Sequence, residues 1–269
     1  MQKILEKIGF QAMFDFENAL RAVEFGIKKG FSCVELNLSD PIFFPEKYSP
    51  TLRGRLKNYL FPILIHAPEG LSLFNLHQKS LNGTIERIYE IIDFAYEIGA
   101  KLLTLHMGGT FTFAIGGEKV WAHHILPHQY ADTVKQALIK ILEYAKDKVP
   151  ICVENAGGFR YRIVHQLLNE LLSSNELWLT WDIGHTNELN GEDRDKENAL
   201  FTKFINRVKE VHLHDNNGEW DEHNIPGMGN INFNYYFKLL YSVAPYYIIE
   251  VRPKERAVES LRVVKEMLS

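Results

Sequence analysis

The chain has 269 residues, 46% hydrophobic and 24% charged, with a formal net charge of −4 at pH 7. That balance supplies a core for one large domain or two small ones, and it argues against a partner held by charge alone, such as nonspecific nucleic acid. No apolar run approaches the ~20 residues that cross a bilayer. The start "MQKILEKIGFQAMFDF" is broken by charge where a secretory leader has an apolar core, and Cys33 and Cys152, with no CxxC, read as buried thiols in a reducing cytoplasm.

In chain order, short β-branched or apolar runs alternate with amphipathic stretches. The expected strands are "IGFQA" (8–12), "CVELNL" (33–38), "PILIHA" (62–67), "LLTLHM" (102–107), "ICVEN" (151–155), "LWLTWD" (177–182), "VKEVHLHD" (208–215) and "YYIIEV" (246–251). Between them, Leu20, Val23 and Ile27 form a helical stripe closed by Gly30. Ile85, Ile88, Ile92 and Ala95 form a second, and Val258, Leu261, Val264 and Leu268 end the chain with a third. Strand and helix alternating to the end imply parallel strands joined by helical crossovers. Eight units in about 250 residues fit an α/β (β/α)₈ TIM barrel, one domain over 1–269. An open doubly wound sheet is the other architecture of this pattern, and the absence of GxGxxG after the first strand leaves a dinucleotide-binding version without support.

A barrel places its functional side chains at strand C-terminal ends. Here the third strand ends at His66, the fourth at His106, the fifth at Glu154 and the sixth at Asp182, with His185 just beyond. The seventh ends at His212 and His214, followed by Asp221 and His223, and the eighth ends at Glu250. Period-two alternation sets Glu154, Asp182, the two histidines of "VHLH" and Glu250 opposite apolar neighbours, so the polar ends converge inside the barrel mouth. A lone histidine or glutamate at a strand end is usually a hydrogen-bonded or solvated side chain. Six converging ends would instead place carboxylates in mutual repulsion, which a bound divalent cation removes. Glu35 and Asn37 are expected to point inward, whereas His77, His123, His124, His128 and His165 lie outside the pattern and suit surface or supporting positions.

Carboxylates and imidazoles without thiolate suit Zn²⁺, Mn²⁺, Co²⁺, Fe²⁺ or Mg²⁺. One ion at two Glu, one Asp and one His is oxygen-rich and tilts toward Mn²⁺, Co²⁺ or Mg²⁺. Filling the further histidines would take two or three ions and favours Zn²⁺.

From "GFSCVELNL" to "IIEVRP", through "HAPEGLSLFN", "LHMGG", "VENAGG", "WDIGH", "VHLHDN" and "DEHNIPGMGNI", the chain resembles the xylose-isomerase-like barrel superfamily of sugar and sugar-phosphate isomerases and epimerases, which also holds endonuclease IV. The resemblance implies Glu154, Asp182, His212 and Glu250 as ligands of one ion. Toward endonuclease IV it implies a nine-residue set for three ions, adding His66, His106, His185, Asp221 and His223. It further implies a ketose isomerised or epimerised by proton transfer through a cis-enediolate, with Glu154 and Glu250 as the two bases and His185 toward substrate. His66 is expected toward substrate too, and Arg252, two residues past Glu250 and so on the same face, is expected either to bind a hydroxyl or phosphate or to form a rim salt bridge. The alternative is a zinc-dependent phosphodiesterase acting at abasic sites in DNA.

The wording "DIGH" and "HLHDNN", where the nuclease resemblance would lead to "DTCH" and "HLNDSK", and the acidic loop "GHTNELNGEDRDKEN" favour the sugar enzyme. A barrel that binds a metal and a sugar without turnover is the third reading. The loop "GGTFTFAIGGEKVWAHH" is expected either to close over a small substrate or to form a subunit contact. The expected partner is a small carbohydrate, with nucleic acid only under the nuclease reading, no membrane, and self-association in scope.

Overall fold

Period-two apolar alternation and short length make the eight expected runs into strands, and all eight close into one parallel barrel. The computed structural model describes residues 2–174 and 176–269. The strands are β1 (Ile8–Ala12), β2 (Cys33–Asn37), β3 (Ile63–His66), β4 (Leu103–Leu105), β5 (Thr112–Ile115), β6 (Glu118–Trp121), β7 (Ile151–Glu154), β8 (Trp178–Asp182), β9 (Val208–Leu213) and β10 (Tyr246–Ile249). Around the barrel the order is β1-β10-β9-β8-β7-β4-β3-β2, so β1 pairs with both β2 and β10 and no edge is left open. Closure excludes the open doubly wound sheet.

The helices are α1 (Gln2–Leu5), α2 (Ala19–Lys29), α3 (Pro50–Lys57), α4 (Gln78–Ile98), α5 (Ala122–Ile125), α6 (Pro127–Ala145), α7 (His165–Ser173), α8 (Ile183–Asn187), α9 (Gly191–Lys203), α10 (Phe233–Leu240) and α11 (Lys254–Met267). α2 shows why the pattern folds as it does. Asn18 caps its start by accepting the Arg21 N–H, and Gly30, at φ 78°, ends it in the left-handed region that favours glycine. The stripe Ile85, Ile88, Ile92 and Ala95 of α4 and Leu261, Val264 and Leu268 near the C-terminus are buried against the barrel's outer wall. Among the described residues no helix is long and apolar enough to cross a membrane.

The barrel interior is layered. At its floor, Cys33, Leu64, Leu102, Cys152 and Ile248 form an apolar cluster of their own. Burial pushes both thiols well above their usual range, as expected for structural cysteines. Gly9 contributes no side chain there because a Cβ would run into Cys33 and Ile248. Two residues further along β1, β2 and the run ending in β4, alternation brings in Gln11, Glu35 and Thr104, joined by Thr180 of β8 and Glu210 of β9, all buried, while the same step from Leu64, Cys152 and Ile248 reaches the site residues His66, Glu154 and Glu250. One further step along β8 and β9 brings Asp182 and His212.

The loop after β4 folds as the antiparallel hairpin β5–β6, leaving Phe113, Ile115 and Trp121 exposed.

Candidate metal centre

Six of the site residues stand at or directly beside the C-terminal ends of their strands. His66, Glu154 and Asp182 are the last residues of β3, β7 and β8, and His106 and Glu250 follow β4 and β10 directly. His212 lies in β9, paired in register with Asp182 on one side and Ile248 on the other. His185 rides on α8, whose first turn is set by Asp182 accepting the His185 N–H at 2.7 Å.

These ends meet. His212 Nδ1 lies 3.3 Å from Glu250 Oε1, 3.5 Å from Glu154 Oε2 and 3.7 Å from Asp182 Oδ2. Ligands held at ~2.0–2.2 Å from a shared ion stand roughly 3–3.6 Å apart, so each carboxylate is at or near co-ligand spacing from His212, and Glu154, Asp182 and His212 offer atoms all within 4.8 Å of one another. A second nest adjoins the first. Glu154 Oε2 is 3.0 Å from both His66 Nε2 and His106 Nε2, while Glu154 Oε1 is 3.2 Å from His185 Nδ1. At the mouth, Asp221 Oδ2 is 2.8 Å from His223 Nε2 and 3.6 Å from His185 Nε2. The nine residues therefore form one continuous cluster, buried at Glu154, Asp182 and His212 and reached by solvent at His106, His185, Asp221 and His223.

The donor set fits a divalent cation. Among the described residues, His106 Nε2, His185 Nδ1, His212 Nδ1, His214 Nδ1 and Asp221 Oδ1 are buried without a hydrogen-bond partner, although each faces an oppositely charged group. Such orphaned atoms are rare unless something else bonds to them. Without an ion, protons take its place. Burial alone would push the Glu154 carboxyl up, but the imidazoles of His106 and His212 outweigh it and hold it well below the usual range. Burial opposes ionisation of Asp182 as well, and His185 and His214 hold it far down all the same. Burial pulls both His66 and His223 down, yet the Glu154 and Glu35 carboxylates push His66 up to about 10, and Asp221 with Glu250 lifts His223 to about 9.

Buried partners fix these positions. Asn155 donates to the Asp182 carbonyl at 2.9 Å and to Glu197 at 2.8 Å, accepts the Asp182 N–H at 2.7 Å, and ties β8 to α9. Asp215 accepts the backbone N–H groups of Asn216, Gly227 and Ile231, which folds the loop carrying Asp221 and His223. Below the cluster, Gln11 donates to Glu35 at 2.9 Å and also to Glu250, and Arg252 donates to Gln11. Arg252 thus stands at the rim, joined to Glu250 through one amide. His66 is 2% exposed and faces Glu154 rather than open solvent.

Of the histidines outside the pattern, His123 is buried, stacked 3.9 Å from Tyr161 and hydrogen-bonded to Thr110 at 2.6 Å. It fastens the hairpin's base, a supporting position. Glu35 points inward as expected. Sequence reasoning missed Glu210 and Gln11 and left His214 outside the ligand set. Glu210 lies two residues before His212, so alternation alone would have brought it inside. Its carboxyl is pushed well above its usual range by burial and by neighbouring Glu35.

The family described as xylose isomerase-like TIM barrel matches residues 23–267. The chain is 29% identical to protein MJ1311 of Methanocaldococcus jannaschii over 235 residues, 82% of this chain and 74% of the relative. A D-tagatose 3-epimerase-like protein superposes with a TM-score of 0.76 and 26% identity over 97% of both chains. Endonuclease IV from Thermus thermophilus shares the fold at a TM-score of 0.68 and 19% identity, covering 97% of this chain and 98% of its own. The closed barrel, its ring of polar strand ends and the family match agree: the chain belongs to the xylose isomerase-like TIM barrel family.

Proposed function

We propose that this protein is a divalent-metal-dependent isomerase or epimerase of a small sugar or sugar phosphate. The observation that carries the reading is the placement of two glutamates around one core. In the barrel order β10-β9-β8-β7, Glu250 and Glu154 bracket Asp182 and His212, and both reach within 3.5 Å of His212 Nδ1. Glu154, Asp182, His212 and Glu250 would hold the ion, which supplies Lewis acidity to a carbonyl and its neighbouring hydroxyl. Glu154 and Glu250 then stand on two sides of the carbon between those oxygens. One removes its proton as a carboxylate and the other, carrying a proton, returns it on the opposite side through a cis-enediolate. His185, solvent-reached at the mouth, orients a substrate hydroxyl, and Arg252 at the rim binds a hydroxyl or phosphate. The D-tagatose 3-epimerase-like neighbour supports a sugar substrate. So does the acidic rim, where α9 opens with Glu192 and Asp193, because a nucleic-acid duplex is held by basic groups.

One observation favours a second reading. Glu154 is clasped by His66, His106 and His185, more nitrogen than a single Lewis-acid site requires, and such a set suits a zinc cluster that hydrolyses a phosphodiester. The two readings separate on substrate. Ketoses incubated with the metal-loaded protein in D₂O should take up deuterium at the carbon beside the carbonyl. No exchange across a ketose panel, together with nicking of an abasic duplex, overturns the sugar reading.

A further inference from the structure

We propose that His214 ligates an outer cation through Nδ1, taking the place that the endonuclease IV resemblance assigns to His223. The inference rests on the metal reading above and concerns which side chain completes its outermost seat.

His214 is fully buried just past the end of β9. Its Nε2 lies 3.1 Å from both oxygens of Asp182, which engages that nitrogen and leaves Nδ1 on the far side of the ring. Nδ1 faces Asp221 Oδ1 at 3.5 Å, and neither atom has a hydrogen-bond partner. Two buried polar atoms that face each other without a hydrogen-bond partner stand at a spacing suited to shared coordination of a cation seated between them. His185, with Nε2 3.6 Å from the other Asp221 oxygen, completes the approach from α8. Asp182 thereby serves both seats, as a ligand in the inner core and as the carboxylate that orients the outer imidazole.

His223 is less suited. Its ring stacks on His214 with centroids 3.9 Å apart and planes 11° apart. Lone pairs lie in the ring plane, so one ion at ~2.1 Å cannot lie in both planes. Of the two rings, only His214 has an unengaged nitrogen. His223 Nδ1 donates to the Glu250 carbonyl at 2.6 Å, and Nε2 is 2.8 Å from Asp221. His223 braces Asp221 and stacks. The ring of His214 is further held by Gly184, where any Cβ would strike the imidazole.

The test compares His214→Gln and His223→Gln in the full chain, stripped with chelator and reloaded with Zn²⁺ or Co²⁺. Glutamine keeps an amide N–H toward Asp182 but offers nothing at the Nδ1 position. The measurements are ions per chain after dialysis and the visible spectrum of the Co²⁺ form, with ion-free melting curves confirming that each variant folds and His214→Leu as a second variant if Gln does not. The expected result is that His214→Gln loses one ion relative to wild type, while His223→Gln keeps the full complement with outer affinity reduced about 10–100-fold. Retention of all ions by His214→Gln, or loss of the ion by His223→Gln alone, overturns the proposal. If wild type takes up a single ion, the outer seat is refuted and the inner core stands. If it takes up none, the metal-dependent reading falls as well.

Discussion

Asp182 and His212 are paired in register across the β8–β9 ladder, and their side chains meet 3.7 Å apart at the barrel mouth. The backbone alone dictates that meeting, because paired residues on neighbouring strands point to the same side of a sheet. Glu154 and Glu250, one strand further out on either side, reach the same imidazole, at 3.5 and 3.3 Å from His212 Nδ1. The proposed chemistry follows from that arc, and so do its weakest points.

Glu154→Gln and Glu250→Gln are expected to lower solvent deuterium exchange into ketose by at least about 10²–10⁴-fold each, the usual contribution of a positioned base. Far-UV circular dichroism should stay unchanged. Near-normal exchange in either variant would remove that glutamate from the two-base scheme.

The ion-free protein should lose thermal stability as pH rises from about 6.5 toward 10, whereas the loaded protein should change less. His66 at about 10 and His223 at about 9 bind their protons more tightly than in the unfolded chain, where histidine titrates near ~6.5. The stability they contribute is complete below the unfolded value and disappears as pH passes through the folded ones. A cation displaces those protons, so metal uptake should release them and its apparent affinity should climb with pH. Calorimetric titration in buffers of different ionisation enthalpy measures the release, and buffer-independent heats would contradict it.

Asp215→Ala should weaken the mouth without touching the core. Asp215 receives three backbone N–H groups from the loop that carries Asp221 and His223. Leaving them unpaired costs about 1–3 kcal/mol. Hydrogen exchange over residues 216–231 should rise, and outer-ion affinity should fall while the inner ion is retained. Unchanged protection in that segment would show that the loop is held by other means.

Glu210→Gln is expected to be nearly neutral to stability, within about 1 kcal/mol, because burial and Glu35 push its carboxyl well above the usual range and an uncharged amide suits the same surroundings. Glu35→Gln should be the more damaging change, since burial opposes the charge on Glu35 and His212 nonetheless holds it ionised. Chemical denaturation of the two variants reads the difference, and equal losses would contradict this division of charge.

The strand ends were legible because barrel geometry and period-two alternation act together. Apolar Ile151 and Val153 turn outward, which leaves Cys152 at the floor and Glu154 at the mouth. The same rule reaches Glu210 and Gln11 once it is extended one step inward along β9 and β1. The hairpin β5–β6 was not legible in this way. Thr112–Ile115 and Glu118–Trp121 flank a Gly-Gly turn, but neither strand buries a face, so no polar–apolar rhythm marks them. His214 was visible as a strand-end histidine, yet its partners were not. Asp182 comes from the neighbouring strand and Asp221 from a loop that doubles back through the Asp215–Asn224 bridge, contacts that no local spacing encodes.

Anomalous scattering from crystals of the protein grown with Mn²⁺ or Zn²⁺ tests the central claim most directly. The expected result is an ion within about 2.0–2.3 Å of Glu154, Asp182, His212 and Glu250 together. Crystals saturated with either metal and showing no anomalous peak between these four side chains would contradict it.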